Sequence, residues 1–145
     1  MRRTDLTGRD PDLGVLAARL LFGLQQEVFA RLAEHGHDQV RPRHGAVLAY
    51  LEADGLRATE LARLSGRPKQ VIGRLVDELE ALGYVERRTD PTDRRGKLVA
   101  LTDRGREEQR LADEIIADIE RRHARRVGKA DYATFRRVLR TLTEP

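Results

Sequence analysis

The chain has 145 residues, with 28 Lys+Arg, 24 Asp+Glu, one Met and no Cys or Trp, and a net charge of +4. That length fits one domain able to bury a core without staples, and the missing Cys excludes disulfides and thiolate metal or redox chemistry. No apolar run reads as the ~20 residues of a membrane span, and the charged start Met1-Arg2-Arg3-Thr4-Asp5 lacks a signal-peptide core, so a cytoplasmic location is expected.

The charge is unevenly placed. Residues 57–106 hold 12 Lys+Arg against 8 Asp+Glu, while the remainder holds 16 of each. Of the cations, 25 are Arg, whose planar donor fork suits phosphates and base edges. A GC-rich genome raises Arg throughout a chain, but it does not gather the surplus in the middle third.

Residues 1–11 are polar and aperiodic and read as a loose tail. From Asp12, a capping residue, Leu13, Leu16, Ala17, Leu20, Leu21, Leu24, Val28 and Leu32 recur at helical spacing until His35-Gly36. Pro42 suits the start of a second helix, with Val47, Leu48 and Leu51 inward and Asp54-Gly55 as its stop. Thr59 is the expected cap of a short third helix ending at Ser65-Gly66. A fourth runs from Pro68 to Leu82, buries Ile72, Leu75, Val76, Leu79 and Leu82, and closes on Gly83. Residues 84–88 and 97–101 read as strands around an eight-residue polar loop, longer than most hairpin turns. Thr102 caps a fifth helix with Leu111, Ile115, Ile116, Ile119 and His123 inward. Gly128 breaks it, and a last helix carries Tyr132, Phe135, Val138, Leu139 and Leu142.

Residues 59–82 thus form a helix-turn-helix, and the hairpin makes it winged. A recognition helix buries one face and offers the other to the major groove. Here the offered turns carry Arg67, Lys69, Gln70, Gly73 and Arg74. Gln pairs bidentately with adenine, and Arg or Lys with guanine. Gly73 costs about 1 kcal/mol of helix propensity against Ala, which suggests a close approach to a partner. Asp77, Glu78 and Glu80 repel phosphate, so contact is expected to end near Arg74. In the wing, Arg94 and Arg95 suit the negative potential of a narrow minor groove. Asp93 is expected to hold one of them through a carboxylate–guanidinium fork. Arg87, Arg88 and Lys97 are placed for phosphates.

The segments Glu60-Leu61-Ala62, Arg74 to Arg87, Asp90-Pro91-Thr92-Asp93-Arg94-Arg95 and Val99 to Gly105 resemble the MarR-type winged-helix transcriptional regulators, over nearly the whole chain. The resemblance implies a mainly α fold with a small β-hairpin wing. A winged helix-turn-helix lobe (41–101) would join a dimerisation region built from the N- and C-terminal helices (12–36 and 102–143). It further implies a homodimer on a pseudo-palindromic double-stranded DNA operator, acting as a repressor and released by a small phenolic or anionic effector. His44 is the candidate effector contact, because the second helix borders the family's effector crevice. Pro68, Val71 and Gly73 depart from the Ser or Thr common early in the family's recognition helix.

No enzyme is expected: there is no phosphate-binding Gly loop, H-E-x-x-H or G-x-S-x-G, and Ser65 is the sole Ser. No cofactor and no metal site are expected, since His35-Gly36-His37 alone falls short of the four ligands a structural zinc needs. The alternative is a winged-helix module for a protein partner without ligand response.

Overall fold

The computed structural model describes residues 10–144, so most of the expected tail lies outside the described residues. The elements are α1 (Leu13–Glu34), a 3₁₀ turn (Pro42–His44) running into α2 (Gly45–Leu48), α3 (Ala58–Ser65), α4 (Lys69–Ala81), β1 (Val85–Asp90), β2 (Asp93–Leu101), α5 (Asp103–Val127) and α6 (Lys129–Thr143). The class is the expected one, mainly helical with one antiparallel hairpin.

Asp12 caps α1 as its sequence position suggests, with Oδ1 accepting the Val15 N–H at 2.9 Å. Thr102 does the same for α5 through the Gly105 N–H at 3.1 Å. The second half of α1 packs on α5, where Val28 and Leu32 meet Leu111, Ile115 and Ile119 in one cluster. Two ion pairs fasten the same seam: Arg122 on Glu27 at 2.5 Å and Arg31 on Asp118 at 2.9 Å. A second core fills the lobe, formed by Val47, Leu48, Leu61, Ile72, Leu79 and Tyr84 with their neighbours.

Two local expectations are corrected. The second helix is one turn long rather than reaching Asp54, although Val47, Leu48 and Leu51 are all buried. Gln109 of α5 donates to the carbonyls of both Leu48 and Leu51 at 2.8 Å. It thereby takes acceptors that a continuing helix would use for itself. Thr59 does not cap α3; the cap position is Arg57, which makes no side-chain capping bond.

The largest correction concerns the wing. The connecting turn is two residues, Pro91-Thr92, not eight, because pairing runs to Thr89↔Lys97 and then, across an irregularity that leaves Arg94, Arg95 and Gly96 without ladder partners, closes at Asp90↔Asp93. Asp90 drives this. Its carboxylate accepts the Thr92 N–H at 2.9 Å and the Thr92 hydroxyl at 2.8 Å, closing the turn from within. Arg94 and Arg95 therefore stand on the first residues of β2 rather than in a loop. Leu56 adds a one-residue third strand through two bonds to Val99, at 2.9 and 2.7 Å. The preceding turn needs Gly55, whose φ is +78° and whose missing Cβ would lie 2.8 Å from the Val99 carbonyl.

The first half of α1 presents exposed Leu13, Leu16, Leu20, Leu21 and Phe22. The 22-residue α1 is long and apolar enough to cross a membrane, which corrects the reading that no segment approaches that length. Its charges argue for another covering. Arg19 lies within the apolar half, and Glu27 is bonded to α5; a charge near the middle of a bilayer costs about 3 kcal/mol or more.

Candidate nucleic-acid interface

Gly66, at φ +70°, turns the chain between α3 and α4. α4 then buries Ile72, Leu75, Val76 and Leu79. Its other face exposes Lys69, Gln70 and Arg74, and Arg67 is exposed just before the helix. Pro68 precedes the first turn and no side chain caps it, so its leading N–H groups have no side-chain partner. Gly73 is followed by open space: a Cβ built there meets nothing within 4 Å. Internal packing therefore does not require glycine at this position.

The acidic end of α4 is not bare. Arg87 of β1 bridges Asp77 and Glu80, both at 2.7 Å. Glu78 accepts from His44 Nε2 at 2.8 Å and from Arg43 at 3.1 Å, and these bonds, that from His44 foremost, lower its pKa. The hairpin root and the second helix are thus bolted to the recognition helix. This changes the reading of Arg87, which is engaged within the lobe.

His44 is 1% exposed, and both of its ring nitrogens are used, since Nδ1 also accepts the Arg41 N–H at 2.9 Å. Burial lowers its pKa. It is not among the residues lining either cavity described below, so the expected effector contact is instead a core histidine. His37 is likewise buried, with Nδ1 2.7 Å from the Tyr84 hydroxyl.

In the wing, the fork expected between Asp93 and a neighbouring arginine is absent. Asp93 accepts the backbone N–H of Arg95 at 3.1 Å, and its carboxylate lies 3.4 Å from Arg57. Arg57 is the residue that sequence reasoning missed. It reaches from the start of α3 to Asp90, with Nε and a terminal nitrogen at 2.9 and 2.8 Å from Oδ2. Asp90 is held down to a pKa of about 2, chiefly by the Thr92 N–H and hydroxyl and then by Arg57. Gly96 leaves room for this brace, since a Cβ there would lie 2.4 Å from the guanidinium. Nothing in the local sequence marks a partner 33 residues away.

The cations of residues 57–106 now sort themselves. Arg57, Arg63, Arg87, Arg88 and Arg106 are ion-paired. Arg104 lies 4.4 Å over the Tyr84 ring and donates to the Leu82 carbonyl. Lys97 donates to the Thr89 hydroxyl at 3.2 Å. Among the described residues, the side chains of Arg67, Lys69, Arg74, Arg94 and Arg95 have neither an ion pair nor a hydrogen bond.

Two concave regions flank α5. An apolar groove of about 740 Å³ lies between α1, α5 and α6 and is lined by Leu20, Leu24, Ile119, His123, Phe135 and Leu139 among others. A smaller cavity of about 240 Å³ lies between the inner face of α1, α2 and the start of α5.

A helix-turn-helix followed by a paired wing, with unpaired cations on both, defines a winged-helix DNA-binding protein. Comparison with known proteins agrees. The MarR family model matches residues 38–96. The curated regulator PetP of Rhodobacter capsulatus, described as an HTH-type transcriptional regulator, is 31% identical over 109 residues. The match takes in 75% of this chain and 66% of PetP, just under two thirds of that protein's length. CouR from Rhodococcus jostii RHA1, solved with p-coumaroyl-CoA, is 30% identical with a TM-score of 0.75, covering 92% of this chain and 93% of its own. CouR on a 23-mer DNA duplex matches at 24% identity and TM-score 0.74, over 99% of both chains, and there bears on the fold alone. The Mycobacterium tuberculosis MarR family protein Rv2887, solved with salicylic acid, is 28% identical with a TM-score of 0.65, covering 92% and 97%. The chain belongs to the MarR family, whose members are DNA-binding transcriptional regulators and not enzymes.

Proposed function

We propose that this regulator is a repressor that binds a pseudo-palindromic operator as a homodimer and is released by a small effector. The observation that carries the DNA contact is the sorting of cations in residues 57–106. Arg67, Lys69 and Arg74 around the recognition helix and Arg94 and Arg95 on the wing are the side chains left without a protein partner. Buried or paired guanidinium groups serve the fold, whereas unpaired ones beside an uncapped helix start suit phosphates and base edges. Gln70 and Arg74, four residues apart, share one exposed face for the major groove. Lys97 is placed to meet phosphates, Arg88 would do so by exchanging its exposed pair with Glu86 for one, and Arg87 acts by fixing the hairpin to α4.

Dimerisation is supported by the apolar surface that one chain leaves uncovered. Leu13 and Phe22 of α1 and Leu142 of α6 are 77%, 65% and 72% exposed, and no residue of α6 is buried. A second copy would cover α1 and α6 together, placing this region at the dimer base and residues 41–101 in the DNA-binding lobe. Two-fold symmetry then sets the half-sites about one helical turn apart. The effector site is the cavity between α1, α2 and α5, because it touches both the lobe and the base. Its coupling to DNA need be only ~1–3 kcal/mol. A cytoplasmic location follows from this role.

The test is electrophoretic mobility shift with the duplex upstream of the regulator's own gene. A discrete retarded band that competes with specific but not random duplex is expected. Failure to shift any duplex at low salt overturns the proposal. Sedimentation at micromolar concentration should give about twice the 16.5 kDa chain mass, and a clean monomer would sink the dimer.

A further inference from the structure

The cavity between α1, α2 and α5 contains a group that the fold does not explain. Glu108 lines it and is 3% exposed. Its Oε2 is buried without a hydrogen-bond partner, and among the described residues its carboxyl has no ion pair. A buried polar group left unsatisfied is costly, and a ligand that satisfies it recovers that cost on binding.

The rest of the wall determines what such a ligand can be. The other charged lining residue is Asp113, a second acid, and no Lys, Arg or His lines the cavity. Gln109 spends its amide N–H groups on the Leu48 and Leu51 carbonyls, and the remaining polar side chain of the wall is the neutral Gln25. Most of the remaining wall is apolar, with Leu24, Val28, Phe29, Leu32 and Ile116 prominent. The volume of about 240 Å³ exceeds the roughly 150 Å³ of an apolar cavity known to take benzene, so a substituted single ring fits. An anion placed here would meet two acids and no cation, in a setting where water screens little. A hydroxyl or N–H finds an acceptor in Glu108 whether that carboxyl is ionised or neutral.

We propose that this cavity binds a small aromatic ligand bearing a hydrogen-bond donor and no negative charge, with Glu108 as the residue that selects it and rejects carboxylates. The inference rests on the effector reading above and sharpens it toward the phenolic and away from the anionic class. Burial, with Asp113 adding to it, pushes the Glu108 pKa up to about 7, so the carboxyl is shared between its neutral and ionised forms, and either form accepts from a hydroxyl.

The experiment is calorimetric titration of the full chain at pH 7 with the matched pair p-cresol and p-toluate. The phenol should bind at least about tenfold more tightly, the worth of one hydrogen bond to an otherwise unsatisfied buried acid. Glu108→Leu should erase that preference by weakening p-cresol binding. Glu108→Gln, which keeps the shape and supplies an amide donor, should narrow it by admitting p-toluate. Equal or tighter binding of p-toluate to the native chain, or binding of neither probe, overturns the inference, and so does a preference unchanged in Glu108→Leu. The heat reports the cavity without DNA. A phenol preference whose occupation leaves DNA affinity untouched would therefore support this assignment while refuting the effector reading.

Discussion

Two residues show how function and stability separate at single positions. Gly73 sits in the recognition helix with free space around a Cβ. If the fold required glycine here, Ala would do harm, but the space is open. Gly73→Ala is expected to stabilise the protein by about 1 kcal/mol through helix propensity, while weakening operator binding because the backbone can no longer approach the groove as closely. Thermal unfolding and anisotropy titration on the same variant check both halves. Glu108 makes the opposite compromise. Its folded pKa is raised from 4.5 to about 7, so the folded state holds a proton that the unfolded state has released. Its stabilising contribution is complete below about pH 4.5 and declines as pH rises through 7, on the order of 3 kcal/mol in all. Glu108→Gln should therefore gain stability over the native chain as pH is raised from 5 to 8, and the difference between their denaturation curves isolates this effect from the titration of His37 and His44. A flat difference would contradict the assignment.

At the level of elements, the helices were legible because their apolar positions recur at three and four, and the capping side chains Asp12 and Thr102 were read correctly. Glu108 carried a usable signal, since 108, 111, 115 and 119 fall on the buried stripe of α5. The wing was not legible to the same degree. Thr89-Asp90-Pro91-Thr92-Asp93 has the composition of a loop, and only the bonds from Thr92 to Asp90 convert it to a tight turn. The second helix failed for a similar reason, because its stop is imposed by Gln109, 58 residues beyond Leu51. Long-range contacts also fix the junction between the wing and α5. Gly105 lies against the Tyr84 carbonyl, where a Cβ would come within 2.1 Å of the oxygen. That oxygen belongs to backbone and cannot swing aside. Gly105→Ala should cost about 3 kcal/mol and lower the melting temperature by roughly 10 °C, as read by calorimetry.

For the whole molecule, the charge surplus of the middle third has become a division of labour. Arg57 and Arg87 brace the wing and the recognition helix, while Arg67, Lys69, Arg74, Arg94 and Arg95 are left facing outward. The flanking helices balance their charges and expose leucines, the kind of apolar surface that the proposed dimer would cover. The most direct measurement of the central claim is the salt dependence of binding to the upstream duplex, followed by anisotropy for the native chain and for Arg94→Ala with Arg95→Ala. Each lost phosphate contact lowers the slope of log affinity against log salt by roughly 1. The double variant should bind about tenfold or more weakly at moderate salt, with a shallower slope by about 1–2 per protomer. Unchanged affinity and slope would contradict the account.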